Sequence, residues 1–484
     1  MPSAPEVMTR SPYDAPGRGD AAGGAPVQLV QLQGKPPEAW VPSRYNTRAR
    51  DESGRMIVWN TFSGAISAFE AEQAQAVEAL LSQKGVKGKL GKLGRYLADR
   101  GFLVSADTDE FRRLQLKFGE QHYRTDRLHL ILLATEDCNF RCEYCYENFA
   151  RGTMLPEVRE GVRKLVESRA PALRELRVSW FGGEPLYGWE AVEDLAPFFS
   201  DIARRYELDY YSHMTTNGYL LTPDRQDLLF DWEVRDFQIT LDGPPEVHDA
   251  KRRGRDGSGT FDSIFSNLCA MRDREDDFLV TLRMNYDQTN HPHLERLLDL
   301  FEMEFSGDTR FGVSFHPVGK WGGDNDADLA TCGIEESREV RRRLSEKARS
   351  KGLKPEGGLV TLAKVGSQVC YAARPNSFIV GADGKLMKCT IVLDSEDHNI
   401  VGRLTRDGEM ELRQDNLALW VQPAFINDPG CAKCHMSPTC QGMHCPLVRI
   451  RSQQRPCPDV KRTLHTELRR TLHERESKAR HVTV

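Results

Sequence analysis

The feature that most constrains the fold is an alternation of apolar runs with helical stretches between residues 128 and 318. Six runs have the character of strands, and they are LHLILLAT, LRVSWF, YYSHMTT, VRDFQITL, FLVTLRMN and RFGVSFHPV. Stretches of helical periodicity such as EVREGVRKLVESRA and HLERLLDLFEMEF lie between them. This alternation predicts an α/β fold with a parallel sheet covered by helices. The segment is shorter than the roughly 250 residues of an eight-unit barrel, which favours an open, partial (β/α)6 barrel.

The rest of the chain predicts additional units around this barrel. The N-terminal stretch is rich in Pro, Gly and Ala and lacks periodicity, whereas RMIVWNT and GAISAF, followed by an amphipathic helix, predict a small α+β unit. A Gly- and charge-rich stretch after the barrel, with one helix in EESREVRRRLSEKARSKG, predicts a linker. The predicted boundaries are 1–41 for a disordered tail, 42–118 for the α+β unit, 119–330 for the barrel, 331–369 for the linker, 370–460 for a cysteine-rich domain and 461–484 for a basic helix.

Charge and hydropathy indicate the cellular compartment of the protein and the classes of partner that it does not bind. A net charge of -5 argues against a general nucleic-acid binder. No apolar run is long enough to span a bilayer, and the N-terminus lacks the apolar core of a secretory signal. These features predict the reducing cytoplasm, with no nucleic-acid or membrane partner. Disulfides are rare there, so the 12 cysteines are better explained as metal or cluster ligands.

Three cysteines form the first group, in the sequence CNFRCEYCYE directly after the first predicted barrel strand. They are Cys138, Cys142 and Cys145. Active sites of parallel α/β barrels lie in the loops after the strands, where this group stands. A structural zinc site needs a fourth ligand, yet no cysteine occurs from 146 to 268. The alternative is a zinc site whose fourth ligand is His213 of the third predicted strand. A [4Fe–4S] cluster held by three thiolates keeps one iron open, which explains the absent fourth cysteine.

CNFRCEYCYE resembles the signature of the radical S-adenosylmethionine (radical SAM) enzymes, which have a partial TIM-like barrel. The resemblance implies that the open iron binds the methionyl amine and carboxylate of S-adenosylmethionine (SAM). It also implies that electron transfer cleaves SAM to a 5′-deoxyadenosyl radical. Tyr144 matches the aromatic residue that packs near the adenine in this family.

Four later blocks resemble family motifs at the ends of successive strands. They are WFGGEP (180–185), TTNG (215–218), TLDG (240–243) and LRMNYDQTN (282–290). Each block alone is an ordinary turn, but their order and spacing favour a SAM pocket. The resemblance implies that Glu184 accepts the methionyl ammonium group and that Arg283 pairs with the carboxylate. The other residues that it places at the cofactor are Gly182, Gly183, Asn217 and Thr240.

A second group of cysteines lies between 370 and 457. Cys370 and Cys389 flank a predicted hairpin around ADGK, and a C-x2-C-x5-C-x4-C run precedes Cys457. Zinc binding is the alternative, but seven cysteines suit it poorly. The pattern resembles the SPASM extension of radical SAM enzymes, although the family's last gap is x3 rather than x4. The resemblance implies a distal [4Fe–4S] cluster on Cys431, Cys434, Cys440 and Cys457 and a proximal one on Cys370, Cys389 and Cys445.

Together with the first cysteine group, these assignments imply three [4Fe–4S] clusters. They leave the fourth ligand of the proximal cluster unassigned. The eighth cysteine found in some family members is replaced here by the sequence KVGSQV. An open or substrate-bound iron at the proximal cluster ranks slightly above Cys332 or another ligand. Cys269 is interpreted as a small buried apolar residue.

Two substrate classes follow from the resemblance. Sulfatase maturases, which oxidise Cys or Ser to formylglycine, carry an Asp just after the hairpin cysteine. This chain has Thr390 there, with Asp394 the first acid downstream. Peptide maturases carry a leader-recognition domain before the barrel, which residues 42–118 resemble. The sequence therefore predicts a maturase that installs a C–C or thioether crosslink in a ribosomally made precursor peptide.

Further expectations concern the partners of this maturase. They are a precursor peptide with a leader segment and an electron donor such as flavodoxin or ferredoxin. No catalytic acid or base is identified. The non-enzyme alternative is a peptide-binding scaffold stabilised by zinc, which lacks the brown colour of iron–sulfur proteins.

Overall fold

The computed structural model describes residues 37–82, 84–356, 364–393 and 396–481. The chain forms two compact units. One comprises residues 1–124, 357–375 and 420–484, and the other comprises residues 125–356 and 376–419. Most of the predicted disordered tail lies outside the described residues. A strand begins at Ala39, however, so the predicted boundary of the tail at residue 41 is wrong.

The N-terminal part of the first unit is α+β, as predicted. Its elements are β1 (Ala39–Pro42), β2 (Asn46–Arg50), β3 (Met56–Asn60), β4 (Ile66–Phe69), α1 (Ala71–Ser82), β5 (Val86–Lys87), α2 (Lys92–Asp99), β6 (Leu103–Ser105) and α3 (Glu110–His122). One antiparallel sheet has the order β2-β3-β4 and another the order β5-β1-β6. Strand β3, with the sequence MIVWN, is buried on both faces. Helix α1 packs its apolar stripe of Ala74, Val77 and Leu81 against this strand.

The second unit contains the barrel. Its strands are β7 (Arg127–Thr135), β8 (Phe140–Cys142), β9 (Glu175–Gly182), β10 (Asp209–Thr216), β11 (Val234–Thr240), β12 (Arg252–Gly254), β13 (Leu279–Tyr286), β14 (Phe311–Pro317), β15 (Lys354–Pro355), β16 (Ser377–Val380), β17 (Lys385–Met387), β18 (Ile400–Leu404) and β19 (Met410–Leu412). Its helices are α4 (Pro156–Arg169), α5 (Trp189–Arg205), α6 (Pro223–Asp231), α7 (Pro245–Lys251), α8 (Phe261–Arg272), α9 (Leu294–Phe305) and α10 (Ile334–Ser350). Helix α11 (Gln414–Val421) spans the boundary between the two units.

The six predicted barrel strands are confirmed as β7, β9, β10, β11, β13 and β14, and neighbouring strands among them pair in parallel. The sheet continues beyond both of its predicted edges. Its full order is β15-β14-β13-β11-β10-β9-β7-β16-β17-β18-β19. Because parallel strands present their carboxyl ends at one edge, the loops after the six predicted strands gather there.

Two predicted boundaries differ from these units. The predicted linker contains α10, which buries Val340, Leu344 and Ala348, and the short strand β15, which pairs with β14. The apolar spacing of i, i+4 and i+8 in a highly charged helix concealed this packing face in the sequence. The predicted cysteine-rich domain is also divided, because β16 extends the barrel sheet beside β7.

The C-terminal part of the first unit is helical. Its elements are α12 (Ala424–Asn427), α13 (Pro429–Ala432), α14 (Ser437–Cys440), α15 (Pro446–Ser452) and α16 (Val460–His481). The predicted basic helix is therefore present as α16. It buries Leu464, Leu468 and Leu472 against Trp59 of β3. Among the described helices, none has the length and apolar character needed to cross a membrane.

Candidate active site

The first cysteine group lies in the loop after β7. Strand β8, which contains Cys142, pairs antiparallel with β12. Inside the loop, the Phe140 amide donates to the Cys138 Sγ at 3.3 Å. The Cys145 amide donates to the Cys142 carbonyl at 3.2 Å. These contacts fix the loop at the carboxyl end of the sheet, with all three thiols on one short segment.

The glycines of WFGGEP bring the next strand against this loop. Gly182 has a φ of +113°, a conformation that a side chain disfavours. At Gly183, an added Cβ would lie 2.7 Å from the carbonyl carbon of Asp137 and 3.2 Å from the Cβ of Cys138. The Glu184 amide donates to the Asp137 carbonyl at 3.1 Å. The cysteine loop therefore packs directly against the backbone of Gly183, where a side chain would not fit.

Glu184 presents a fully buried carboxylate beside the loop. It accepts hydrogen bonds from the Thr216 hydroxyl at 2.7 Å, from the Asn217 amide at 2.6 Å and from the Leu186 amide at 2.9 Å. Burial raises its pKa, and the three donors oppose that effect. Within the described part of the chain no ion pair is formed by Glu184, so the site has an uncompensated acceptor for a cationic ligand.

Asn217 joins the end of β10 to the cysteine loop. Its side-chain amide donates to the Asn139 Oδ1 at 2.8 Å and lies 3.9 Å from the Cys138 Sγ. The predicted residues Cys138, Gly183, Glu184 and Asn217 thus come together around one point at the sheet edge.

Tyr144 lies in a polar network that the sequence did not predict. Its hydroxyl donates to the Asp242 carboxylate and accepts from the Arg252 guanidinium at 2.6 Å and from the side-chain amide of Asn285 at 3.0 Å. Asp242 is fully buried, and Arg252 lies 3.8 Å from it. Two of these residues stood inside recognised blocks, Asp242 in TLDG and Asn285 in LRMNYDQTN. Arg252 lies in the basic run KRRGR and carries no motif.

Thr240 and Arg283 are neighbours in the register of β11 and β13. The Arg283 guanidinium donates to the Asn285 Oδ1 at 2.8 Å. Both residues therefore stand at the same edge of the sheet as the cysteine loop.

His213, the zinc alternative, has both ring nitrogens engaged. They lie 2.9 Å from the Asp236 carboxylate and 3.1 Å from the Thr215 hydroxyl. Cys269 is half-buried on α8, 4.0 Å from the Glu304 carboxylate. Neither residue contacts the first cysteine group through a described hydrogen bond.

The donor set of the first site fits an iron–sulfur cluster. Burial raises the pKa of the Cys145 thiol to about 12, and it also raises the pKa values of Cys138 and Cys142. Thiols in this environment stay protonated until a metal replaces the proton. Soft thiolates without a nearby imidazole ligand select iron–sulfur clusters or zinc, and a closed zinc site needs one more ligand.

The first unit contains a second set of convergent thiols. Four cysteines line one cleft of about 410 Å³, open mouth included: Cys431, Cys434, Cys440 and Cys457. They are the four predicted ligands of the distal cluster. Burial raises the pKa of the Cys440 thiol to about 11.

Cationic side chains surround this cleft. The Arg449 guanidinium lies 3.6 Å from the Cys431 Sγ, and the Lys461 ammonium lies 3.8 Å from the Cys457 Sγ. Asp428 holds Arg449 and Arg455 in place at 3.2 and 2.9 Å. The hydrogen bond from Arg455 is the main reason why the pKa of Asp428 is well below its usual range. Positive charge near the sulfurs favours an anionic cluster.

The predicted proximal ligands are divided between the two units. Cys370 and Cys445 belong to the first unit and Cys389 to the second. In the first unit, the Cys370 amide donates to the Met443 carbonyl at 3.1 Å. Their common cluster stays a prediction, and Asp394 lies outside the described residues.

Comparison with known families identifies the domain that contains the first cysteine group. Residues 132–301 match the radical SAM superfamily. The radical SAM cyclopropyl synthase TigE of Paramaledivibacter caminithermalis is 26% identical over 156 residues, 28% of this chain and 31% of that protein. The chain therefore spans about a third of that relative. A GTP 3′,8-cyclase of Nostoc sp. is 26% identical over 289 residues, 55% of this chain and 82% of that protein.

A cysteine-type anaerobic sulfatase-maturating enzyme of Clostridium perfringens is 29% identical over 147 residues, 28% of this chain and 38% of that protein. Among solved structures, anSMEcpe with bound AdoMet and Cp18Cys peptide has a TM-score of 0.54 at 19% identity. The match covers 73% of this chain and 98% of that one. That likeness shows a shared fold. The match of residues 132–301 to this superfamily favours an enzyme over the alternative of a zinc-stabilised scaffold.

Proposed function

We propose, from the premise that residues 132–301 form a radical SAM domain, that this enzyme modifies a ribosomally made precursor peptide. The modification that we propose is a C–C or thioether crosslink. The observation that carries the cofactor assignment is the convergence of three thiols, two side-chain-free glycines and an unpaired buried carboxylate at one edge of the sheet. Peptide chemistry is supported by the α+β N-terminal part of the first unit and by the second set of cysteines in the same unit.

The cluster and SAM, when bound, supply the electron and the 5′-deoxyadenosyl radical that begins the reaction. The chain's own residues hold these groups in place. The cluster ligands are Cys138, Cys142 and Cys145. The residues proposed to line the SAM site are Tyr144, Gly182, Gly183, Glu184, Asn217, Thr240 and Arg283.

Each of the charged residues has a defined task in this proposal. Glu184 accepts the methionyl ammonium group, which compensates its buried charge. Arg283 pairs with the methionyl carboxylate while Asn285 keeps its guanidinium at the sheet edge. Asp242 and Arg252 are positioning residues, because they hold Tyr144 beside the cysteine loop.

The decisive experiment measures iron and SAM cleavage in the full chain after anaerobic reconstitution. We expect about twelve irons per chain, as three [4Fe–4S] clusters require, and 5′-deoxyadenosine formation from SAM with a chemical reductant. About four irons with active cleavage would retain the radical SAM site and remove the auxiliary clusters from the proposal. Zinc in place of iron, without cleavage, would contradict it.

We propose in addition that the N-terminal part of the first unit binds the leader segment by adding it as a strand to β4. In the described residues β4 pairs with β3 alone, so its other side is an edge. The far edge, on β2, is occupied, because His465 and Arg469 of α16 bond to the carbonyls of Arg48 and Arg50. Strand addition needs such an open edge and apolar pockets beside it.

The surroundings of β4 favour this edge. Tyr96 of α2 is 39% exposed and stacks edge-to-face on Phe69, with its hydroxyl 3.0 Å from the Ser67 hydroxyl. An amphipathic ring at the rim of an open strand suits a peptide side chain.

Replacing Ala68 by proline tests this proposal. The Asn60 amide donates to the Ala65 carbonyl, and bonded pairs alternate along an antiparallel ladder. The register therefore points the amide of Ala68, an exposed residue, away from β3. Ala68→Pro removes that donor and leaves the β3–β4 ladder intact. The probes are peptides selected from a displayed library for binding to the native chain. We expect their affinity for the variant to be about tenfold lower, the equivalent of one or two hydrogen bonds.

Ala68→Ser is the matched control, since it keeps the amide. It should bind as tightly as the native chain. Equal affinity of the proline variant, with an unchanged melting temperature, would exclude β4 as the docking edge.

A second candidate function is oxidation of a Cys or Ser side chain to formylglycine. The similarity to the sulfatase-maturating enzyme favours it, whereas Thr390, in place of an acid after the hairpin cysteine, argues against it. A hydrazide probe separates the two functions, because formylglycine carries an aldehyde and a crosslinked peptide does not.

A further inference from the structure

Outside the two cysteine groups, the structure brings together a histidine, a cysteine and a glutamate in the second unit. One ring nitrogen of His291, the Cys332 Sγ and a carboxylate oxygen of Glu336 all lie within 4.8 Å of one another. His291 begins a short 3-10 turn, His291–His293, in the loop after β13. Cys332 lies in the loop after β14, and Glu336 in the first turn of α10. Three different ligand types thus converge from three segments.

The backbone around these side chains is well fixed. The His291 amide donates to the Asp287 carbonyl at 3.2 Å. The Gly333 amide donates to the Glu336 Oε2 at 3.1 Å, which holds that carboxylate at the start of α10. The other oxygen of Glu336 lies 3.6 Å from the His291 Nε2. Little rearrangement is needed for the three side chains to share a ligand.

The cluster contains a polar group that lacks a hydrogen-bond partner. The His291 Nδ1 is buried and has no hydrogen-bond partner in the described part of the chain, which is uncommon for a buried nitrogen. The Cys332 Sγ faces the Glu336 carboxylate in a half-buried place. The ammonium of Lys251 is bonded to Asp287, at 2.7 Å, rather than to the thiol.

We propose that His291, Cys332 and Glu336 bind a zinc ion. Thiolate sulfur, imidazole nitrogen and carboxylate oxygen are the three ligand types that zinc takes in proteins, and three protein ligands leave a fourth position for water. On binding, the ion displaces the thiol proton of Cys332, and its charge compensates the resulting thiolate and the Glu336 carboxylate. This site is separate from the cluster ligands of the proposed function.

The position of the ion gives it a structural role near the radical SAM site. It joins the β13 loop to the segment between β14 and α10. That segment packs on the cysteine loop, because the Asn325 side chain donates to the Glu143 carbonyl and Gly323 lies against Cys145. Zinc therefore fastens the segment that packs against the cysteine loop.

The same geometry argues against Cys332 as a ligand of the proximal cluster. By sequence it was a candidate fourth ligand of the proximal cluster. With an imidazole and a carboxylate as immediate neighbours, its surroundings match a mononuclear zinc site rather than an all-thiolate cluster.

Metal analysis of the holoenzyme tests the proposal. The full chain is reconstituted with iron and sulfide, exposed to zinc sulfate and passed over a mild chelating resin. Zinc and iron are then measured by mass spectrometry. We expect Cys332→Ser and His291→Ala each to hold one zinc fewer than the native chain, with unchanged iron. Cys269→Ser, which alters the isolated cysteine of α8, should keep the full zinc content.

X-ray absorption at the zinc edge provides the second readout. The proposed site predicts one sulfur at about 2.3 Å and nitrogen or oxygen neighbours at about 2.0–2.1 Å. Four sulfur neighbours would place the zinc in an unfilled cluster site and overturn the proposal. Equal zinc in Cys332→Ser and the native chain would also overturn it, as would a loss of about four irons in that variant. SAM cleavage enters none of these readouts, so the result is independent of the proposed function.

Discussion

Replacement of Cys138, Cys142 and Cys145 together by alanine is expected to abolish formation of 5′-deoxyadenosine from SAM. The three thiols lie on one loop beside Gly183, Glu184 and Asn217, and the triple variant removes all three proposed cluster ligands. Iron should fall by about four per chain, because the other cysteine group is untouched. The measurements are iron by mass spectrometry and 5′-deoxyadenosine by liquid chromatography after reduction under anaerobic conditions.

The matched control replaces Cys269, a half-buried cysteine on α8, by alanine. Its iron content and its cleavage rate should equal those of the native chain. If the triple variant still cleaves SAM, the cysteine loop is not the cluster site and the assignment fails.

Gly183→Ala is expected to lower kcat/KM for SAM cleavage about 100-fold, the cost of a displacement of about 1 Å at a reacting centre. The added Cβ would lie 2.7 Å from the carbonyl carbon of Asp137 and closer still to its oxygen. Backbone cannot turn aside as a side chain does, so either the cysteine loop or the end of β9 must shift. We therefore expect weaker SAM binding by isothermal titration in a protein that remains folded.

Gly152→Ala is the control for this variant. Gly152 follows the cysteine loop in sequence, and an added Cβ there meets no atom within 4 Å. It should cleave SAM at the native rate. Native activity in Gly183→Ala would mean that the loop adjusts freely, and the close approach at the sheet edge would then lose its proposed role.

The expected effects of these two variants are large because the three cysteines and Gly183 lie at the proposed cofactor site. The network of Tyr144, Asp242 and Arg252 acts one contact further away. Its members are buried and satisfy one another, so their removal disturbs the fold as well as the site. Effects there are harder to assign to catalysis, which is why the cysteines and Gly183 are the sharper tests.

Much of the barrel was predictable because its information is local. Each of the six parallel strands is a short apolar run, and period and length distinguish it from the helices between. The cysteine loop and WFGGEP are also contiguous in sequence, so the family resemblance that implies their chemistry is visible without the structure. The edges of the sheet were not predictable in this way. Helix α10 is so rich in charge that its sequence pattern does not reveal the buried stripe of Val340, Leu344 and Ala348.

The sequence by itself determined the strand–helix alternation, the position of the first cysteine group after β7 and the thiol donors of the proposed cluster sites. Only the tertiary structure decided which distant residues meet. It joined Arg252 to Tyr144, and it brought His291 to Cys332 across 40 intervening residues. Such pairs have no spacing rule, because their distance is set by the pairing of strands and not by the period of any one element. Local periodicity therefore encodes elements, whereas the assembled sheet encodes the contacts between their ends.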